Sequence, residues 1–329
     1  MTAYHWRPSA DLSVLRLRAE LLAQIRAFFA ACGVLEVETP ALSAAAITDP
    51  HLASFKTCYS GPGSQHGRPL YLHTSPEFAM KRLLAAGSGC IYQIARVFRD
   101  GEAGSRHNPE FTLLEWYRVG FDHHRLMDEV AELVGMLLAG RLALAEPERL
   151  SYRQIFQHHL NLDPHRATVA DLAACAETRN VSIPTGMPLD DPDPWLDLLL
   201  THCVEPRLGS GRLTFVHDYP ASQAALARLR PDDPPVGERF ELYINGIELA
   251  NGFHELGDAV EQRRRFAQEN AARRAAGLPI MPMDEHLLAA LEFGLPDCAG
   301  VALGFDRLVM LATRKTSLAE VLAFPLDRA

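Results

Sequence analysis

The chain of 329 residues has few lysines and no excess of positive charge. Lys56, Lys81 and Lys315 are its only lysines, and 41 acidic residues outnumber 32 basic ones, for a formal net charge of −9. Proteins that bind nucleic acid through a general basic surface usually carry positive charge. The composition therefore disfavours nucleic-acid binding through a general basic surface, but it does not exclude a local basic patch.

Paired cysteines and long apolar runs are missing as well. The six cysteines are widely spaced, with no C-x-x-C pair, which favours reduced thiols over a disulfide framework or a cysteine zinc site. No uninterrupted apolar run reaches membrane-spanning length, and the first eight residues contain no apolar signal core. We therefore predict a cytoplasmic protein without a membrane partner.

A loop between two predicted strands is the first candidate site. Residues 91–99 and 110–117 are typical of a β-hairpin. One face of its second strand would carry Phe111, Leu113, Glu115 and Tyr117. In the loop, Gly101 and Gly104 free the backbone, while Arg106 and His107 can meet anionic oxygen. On these residues alone, a phosphate-binding loop and an ordinary solvated hairpin are equally compatible with the sequence.

A second hairpin is predicted at Asn245-Gly246, a strong two-residue turn signal that pairs Ile244 with Ile247 and Tyr243 with Glu248. Strand alternation then puts four side chains on one face: Glu241, Tyr243, Glu248 and Ala250. Two unpaired carboxylates there would repel each other, so a Mg²⁺ ion held against substrate phosphates would fit. The alternative is the solvated face of an edge hairpin.

Near the C-terminus, residues 300–304 predict a short buried strand and residues 306–311 the start of a helix. Arg307 lies in an otherwise apolar setting and needs an anion, either a neighbouring acid such as Asp306 or a phosphate. Helices are also predicted over residues 12–29, 78–86, 126–138 and 195–200, and strands over 34–40 and 213–220. Residues 141–235 are otherwise uninformative.

Three motifs, taken in order, resemble those of the class II aminoacyl-tRNA synthetases: a helix and strand ending at Pro40, Phe98-Arg99 with its loop to Phe111, and Gly304 to Arg307. Within that class, residues 74–77, 106–112 and 251–256 most resemble lysyl-tRNA synthetase. The resemblance implies an α+β fold, with an antiparallel β-sheet flanked by helices in a single catalytic domain over residues 1–329. It also implies a homodimer through the first helix and the strand ending at Pro40.

Lysyl-tRNA synthetases carry an anticodon-binding OB domain before the first motif, and only about ten residues precede the first helix here. We therefore expect no OB domain. The chain resembles most closely the truncated synthetase paralogues, through residues 246–256 and 297–304. These enzymes activate (R)-β-lysine with ATP and transfer it to a lysine side chain of elongation factor P. The missing OB domain and the negative charge argue against tRNA as a partner.

The resemblance also implies roles for individual residues. Arg99 and Arg307 would be catalytic clamps on the ATP phosphates, and Arg106 or His107 would reach the γ end. The implied ATP-binding residues are Arg99, Asp100, Gly101, His107, Asn108, Phe111, Glu248, Leu249, Gly304 and Arg307. The implied Mg²⁺ ligands are Glu241 and Glu248. The implied substrate-binding residues are Ser75, Pro76, Glu77, Glu115, Tyr117, Glu255 and Ala302.

One position departs from the family pattern Phe-Arg-x-Glu, because Gly101 stands at the glutamate and Glu102 follows it. Either Glu102 takes over that contact after a shift in the loop, or main chain at Gly101 replaces it. Two other functions stay open: a freestanding lysyl-adenylate synthetase that charges tRNA or a carrier, and a non-catalytic regulatory paralogue. The regulatory paralogue is disfavoured because a silent protein would not need all of the following residues: Arg99, Phe111, Glu241, Glu248 and Arg307.

Overall fold

The computed structural model describes residues 6–64 and 67–329. The first five residues, part of the segment judged to lack a signal core, lie outside the described part. The helices are α1 (Leu12–Ala31), α2 (Glu77–Ala85), α3 (His123–Leu138), α4 (Tyr152–Leu160), α5 (Val169–Thr178), α6 (Asp193–Leu199), α7 (Ala259–Ala275), α8 (Glu285–Gly294) and α9 (Phe305–Thr313). The strands are β1 (Leu35–Glu36), β2 (Leu42–Ser43), β3 (Lys56–Tyr59), β4 (Arg68–Leu72), β5 (Ile91–Phe98), β6 (Glu110–Val119), β7 (Ala145–Ser151), β8 (Arg212–Pro220), β9 (Leu229–Arg230), β10 (Val236–Ile244), β11 (Ile247–His254) and β12 (Cys298–Gly304).

The chain divides into two compact units. Unit 1 runs to Gly120 and also contains Gly257–Cys298 and Ala302–Ala329, whereas unit 2 contains Phe121–Leu256 and Ala299–Val301. Both units mix helices with largely antiparallel strands, so the predicted α+β class is confirmed. A single catalytic domain over the whole chain stays a prediction.

Unit 1 contains the first predicted hairpin. Strand β5 pairs antiparallel with β6, from Ile91 opposite Tyr117 to Phe98 opposite Glu110, and β1 pairs parallel with β5. The strand predicted over residues 34–40 is only two residues long. Strands β2, β4 and β3 form a separate antiparallel sheet. Helix α2 begins at Glu77, directly after Pro76 and one residue before the start predicted at residue 78.

Unit 2 contains strands in the order β11, β10, β8, β7, with β9 on β10. Its core includes large side chains from a stretch to which the sequence analysis assigned no element, among them Tyr152, Phe156 and Leu160. Helix α4 in that stretch starts with a capping box between Ser151 and Gln154. Serine followed three residues later by glutamine is a local signal for such a cap in the sequence.

The second predicted hairpin is confirmed. Asn245 and Gly246 both have positive φ, as this tight turn requires, and the predicted pairs Ile244 with Ile247 and Tyr243 with Glu248 are present. One part of that prediction was wrong: the register shifts next to Tyr243, so Ala250 pairs with Leu242 and leaves the face that carries Glu241. A bulge moves every later side chain of a strand to the other face.

The described part of the chain has no helix long and apolar enough to cross a bilayer.

Candidate active site

A buried carboxylate on β6 is the centre of the acidic group in unit 1. Glu115 is 2% exposed. Its Oε2 accepts a hydrogen bond of 2.6 Å from the Ser75 hydroxyl, and its Oε1 accepts one of 2.8 Å from the Tyr117 hydroxyl. The Ser75 oxygen also accepts the Glu77 backbone N–H at 3.0 Å. The structure therefore brings together four of the predicted substrate-binding residues, and two hydroxyls fix the orientation of Glu115.

Glu77 has a cationic partner that the sequence analysis missed. The Lys81 Nζ lies 2.6 Å from Glu77 Oε1, one helical turn along α2, and the Lys81 side chain is 2% exposed. A buried ammonium needs an anion beside it, so Glu77 already balances one positive charge. A lysine four residues after a glutamate, in a chain with three lysines, was a usable signal.

A cavity of about 110 Å³ lies beside this acidic group in unit 1. Its wall includes Ser75, Pro76 and Glu77, together with residues of β2 and the start of α2. The predicted residue Pro76 precedes α2 and has no side-chain cap bond, so its role there is to start the helix.

Arg99 follows β5 and lies against Phe111, with its guanidinium carbon 5.1 Å from the ring centroid. The Arg99 Nε is buried and has no hydrogen-bond partner among the described residues. A buried guanidinium N–H without an acceptor is unusual, because arginine can only donate. An oxyanion such as a phosphate would satisfy it.

The departure at Gly101 has a structural reason. Gly101 has a φ of 81°, a conformation that a glutamate rarely adopts. The next residue, Glu102, brings its carboxylate to 3.7 Å from Arg99 Nη1. The neighbouring Asp100 uses its backbone N–H on Ala53 O at 2.8 Å, which anchors the start of the loop. Of the two open alternatives, this geometry favours Glu102.

Arg307, in the first turn of α9, lies against the tip of the same loop. Its Nη2 is 2.9 Å from His107 Nε2, and its Nε is 3.4 Å from Arg106 O. Arginine donates and cannot accept, so His107 Nε2 accepts and the imidazole is neutral. Burial and then the positive charge of Arg307 lower the pKa of His107, which agrees with that assignment. Arg307 thus contacts the loop that contains Arg99 and Arg106, and the histidine at this contact is neutral.

Asp306, the neighbouring acid that the sequence offered as a partner for Arg307, pairs with another arginine. It forms a partly buried ion pair with Arg18 of α1, and its Oδ2 accepts the Thr112 backbone N–H at 2.7 Å. Asn108 is predicted to contact the nucleotide. Its Nδ2 donates a hydrogen bond of 2.6 Å to Glu110 O, and its Oδ1 accepts one of 3.0 Å from the Leu326 N–H. In this conformation Asn108 holds the loop to the C-terminal segment.

Two further predicted residues of unit 1 lie in β12. Ala302 packs against Ala95, Val97 and Leu113, with Phe111 at the edge of the same apolar cluster. Gly304 directly precedes α9 and so begins the turn that carries Arg307.

Unit 2 contains the predicted metal ligands, and Glu241 there is not an unpaired carboxylate. Its Oε1 forms an ion pair with Arg239, and its Oε2 accepts hydrogen bonds from Tyr219 at 2.6 Å and Tyr243 at 2.5 Å. The sequence predicted that Glu241 and Glu248 would repel each other unless a cation lay between them. Arg239 largely removes that repulsion, because its charge balances Glu241. Arg239 is two residues from Glu241 on the same face of the strand, so the sequence alone indicates this partner. Tyr219 comes from β8, and no local sequence pattern indicates it.

Glu248 lies on the face of Glu241, opposite Tyr243, and Leu249 is the residue that the shifted register skips. Glu255 follows β11 and is buried. A Mg²⁺ site is still chemically compatible with this arrangement, because a carboxylate oxygen can accept twice and Glu241 Oε1 accepts from Arg239. Oε2 already has two.

Comparison with known proteins gives a consistent picture. Residues 3–328 match the family described as tRNA synthetases class II (D, K and N). Proteins named elongation factor P–(R)-beta-lysine ligase are 54% identical in Vibrio vulnificus, over 97% of this chain and 98% of the relative, and 53% identical in Vibrio cholerae, over the whole of both chains. The ligase of that name in Klebsiella pneumoniae is 53% identical over 98% of both chains.

Proposed function

The chain belongs to the class II tRNA synthetase family (D, K and N), and we propose that it is an ATP-dependent ligase that transfers (R)-β-lysine to a lysine side chain of elongation factor P. The observation that carries this function is the similarity to ligases of that name along almost the entire chain. Unit 1 adds the two kinds of group that the reaction needs, anionic for an amino-acid substrate and cationic for ATP.

These two groups are separated along one strand. Phe111, beside Arg99, and Glu115 are four residues apart on the same face of β6, which corresponds to about 14 Å. An aminoacyl-adenylate has a cationic amine at one end and a phosphate and adenine at the other. Its charges would match the order of these side chains along β6.

In the first step, a carboxylate oxygen of β-lysine attacks the α-phosphorus of ATP, and pyrophosphate leaves. The carboxylate is already ionised at neutral pH, so the step needs no general base. The enzyme therefore has to position the carboxylate and the ATP and to stabilise the charge of the phosphates. Arg99 and Arg307 would bind the phosphates, while neutral His107 orients Arg307 by accepting from its Nη2. Glu102 would orient Arg99.

In the second step, the deprotonated ε-amino nitrogen of the acceptor lysine attacks the acyl carbon of the adenylate. An amide bond forms, the bond to the phosphate oxygen breaks, AMP leaves, and the nitrogen releases its second proton to solvent.

On the substrate side, Glu115 is the main candidate in unit 1 for binding an ammonium group. Glu115 is 2% exposed and is held in position by hydrogen bonds from the Ser75 and Tyr117 hydroxyls, and Glu77 lies beside it with Lys81 as its partner. In unit 2, Glu255 stays a proposed substrate-binding residue on the family resemblance alone. Ala302 would shape the pocket that distinguishes (R)-β-lysine from α-lysine, because charge alone does not separate two amines shifted by one carbon.

Glu241 and Glu248 would hold Mg²⁺, with Glu241 offering Oε1. When bound, the ion would neutralise phosphate charge. We also propose a homodimer through α1 and β1, where Leu12 is 65% exposed and Leu35 is 56% exposed. The six free cysteines support a reducing compartment such as the cytoplasm.

Pyrophosphate exchange tests the enzymatic function. We expect ATP formation from labelled pyrophosphate with (R)-β-lysine and weaker exchange with α-lysine. No exchange with either amino acid would favour the regulatory paralogue, and exchange followed by label on tRNA would favour the freestanding synthetase.

A further inference from the structure

A cluster of histidine and carboxylate side chains lies in unit 2, among residues that have no part in the proposed ligase reaction. It contains His123 at the start of α3, Glu238 of β10 and His254 at the end of β11. One possible ligand atom from each of these three lies within 4.8 Å of the others. Asp218 of β8 is adjacent, with its Oδ1 3.7 Å from His123 Nε2.

His123 is the unusual member of the cluster. It is 1% exposed, and neither ring nitrogen has a hydrogen-bond partner among the described residues. The 3.7 Å contact with Asp218 is too long for a hydrogen bond, and Asp218 Oδ1 likewise has none. Buried imidazole nitrogens are normally satisfied, so this arrangement needs an explanation.

A metal ion would give a partner to one ring nitrogen of His123 and to Asp218 Oδ1 at the same time. Zinc bonds to nitrogen and oxygen are about 2.0–2.2 Å, so two ligands of a tetrahedral ion lie roughly 3.3–3.6 Å apart. The distance of 3.7 Å between His123 Nε2 and Asp218 Oδ1 is close to that range. His254 Nδ1 and Glu238 Oε2 are 2.6 Å apart, as in a direct hydrogen bond. They would separate by about 1 Å to admit an ion in place of the shared proton.

The charges around the cluster also suit a cation. Arg230 contacts both carboxylates, at 2.7 Å from Asp218 Oδ2 and 3.8 Å from Glu238 Oε1. One arginine balances only one of the two carboxylate charges. The closest contacts of Arg230 are to Asp218 Oδ2 and Glu238 Oε1, whereas Asp218 Oδ1 and Glu238 Oε2 face the histidines. His217 lies 3.2 Å from the oxygen of Asp218 that Arg230 uses.

We propose that His123, Glu238 and His254, with Asp218 as the fourth ligand, bind a divalent transition metal, for which Zn²⁺ is the best match. Two imidazoles with two carboxylates suit zinc, whereas Mg²⁺ prefers oxygen ligands alone. Four protein ligands make a closed site of the structural kind. The ion would fasten the start of α3 to β8, β10 and β11. It is separate from the proposed Mg²⁺ site at Glu241 and Glu248.

The test uses the full chain without a histidine tag, because a tag would itself bind metal, and without ATP or amino acid. After one equivalent of Zn²⁺ and dialysis against metal-free buffer, we expect one zinc per chain by elemental analysis. Co²⁺ in its place should give the visible absorption of a tetrahedral site. His123→Gln and Glu238→Gln should weaken Co²⁺ binding at least about 100-fold, as expected for losing a direct ligand.

His158→Gln is the matched control, because His158 is an exposed histidine of the same unit, and it should bind as the wild type does. If a variant does not fold, the cobalt spectrum of the wild type still tests the metal site. Wild-type protein that retains no zinc and gives no tetrahedral cobalt spectrum would overturn the metal site and leave a hydrogen-bonded network. Equal zinc in wild type and folded His123→Gln would also overturn it.

Discussion

Replacing Glu115 by glutamine should weaken binding of the amino-acid substrate and leave ATP binding unchanged. The substitution removes the negative charge that we assign to a substrate ammonium, while the carbonyl oxygen of glutamine can still accept one hydroxyl bond. The other donor, Ser75 or Tyr117, then faces an amide NH₂ that cannot accept. ATP should be unaffected, because Phe111 lies about 14 Å along β6 from Glu115.

The expected magnitude follows from the burial of this carboxylate. Truncating one partner of a buried charge pair costs about 2–5 kcal/mol. Glutamine keeps part of the hydrogen bonding, so the lower half of that range applies. At 1.4 kcal/mol for each factor of ten, KM for the amino acid should rise between about 30-fold and about 300-fold.

Pyrophosphate exchange at varied amino acid and at varied ATP separates the two effects. Glu110→Gln is the control on the same strand, because Glu110 is exposed and its ion pair with Arg96, at 3.2 Å, is also exposed. It should change KM for the amino acid less than about 5-fold. A rise in Glu115→Gln no larger than that of the control, or an equal rise in KM for ATP, would refute the role assigned to Glu115.

Three further predictions concern other residues. Arg307→Ala should abolish adenylate formation in the exchange assay while the thermal unfolding midpoint stays near that of the wild type; retained exchange would show that the residue is misassigned. Asp306→Asn should lower the free energy of unfolding in urea by about 2 kcal/mol, because it removes the charge of a buried carboxylate that pairs with Arg18; an unchanged midpoint would contradict this. Burial raises the pKa of Glu269 to about 7 from 4.5. The folded chain therefore holds this proton more tightly, so its stabilising effect is present below pH 4.5 and is lost as the pH rises through 7. Glu269→Gln should remove that loss, gaining on the order of 2 kcal/mol at pH 8 relative to pH 5 in urea unfolding; identical pH profiles would refute it.

Local patterns predicted the two hairpins and the helix after β12 because their signals lie within a few residues. Asn245-Gly246 fixed both the turn and its first pairs. The same pattern failed at Ala250, since a bulge is set by packing between strands and not by the alternation of residues.

The partners of the candidate site residues were harder to predict, because most come from distant parts of the chain. Arg18 reaches Asp306 across 288 positions, and Tyr219 reaches Glu241 across 22. Lys81 and Arg239 are near their glutamates in sequence and could have been found. Without them, Glu77 and Glu241 were taken as carboxylates available for a ligand, whereas each already has a cation beside it.

Transfer of labelled (R)-β-lysine tests the proposed function most directly. The purified chain is incubated with ATP, Mg²⁺, the labelled amino acid and either elongation factor P or total tRNA. Label should appear in acid-stable form on elongation factor P, and should be lost when the acceptor lysine is replaced by arginine. Label on tRNA with none on elongation factor P would contradict the assignment.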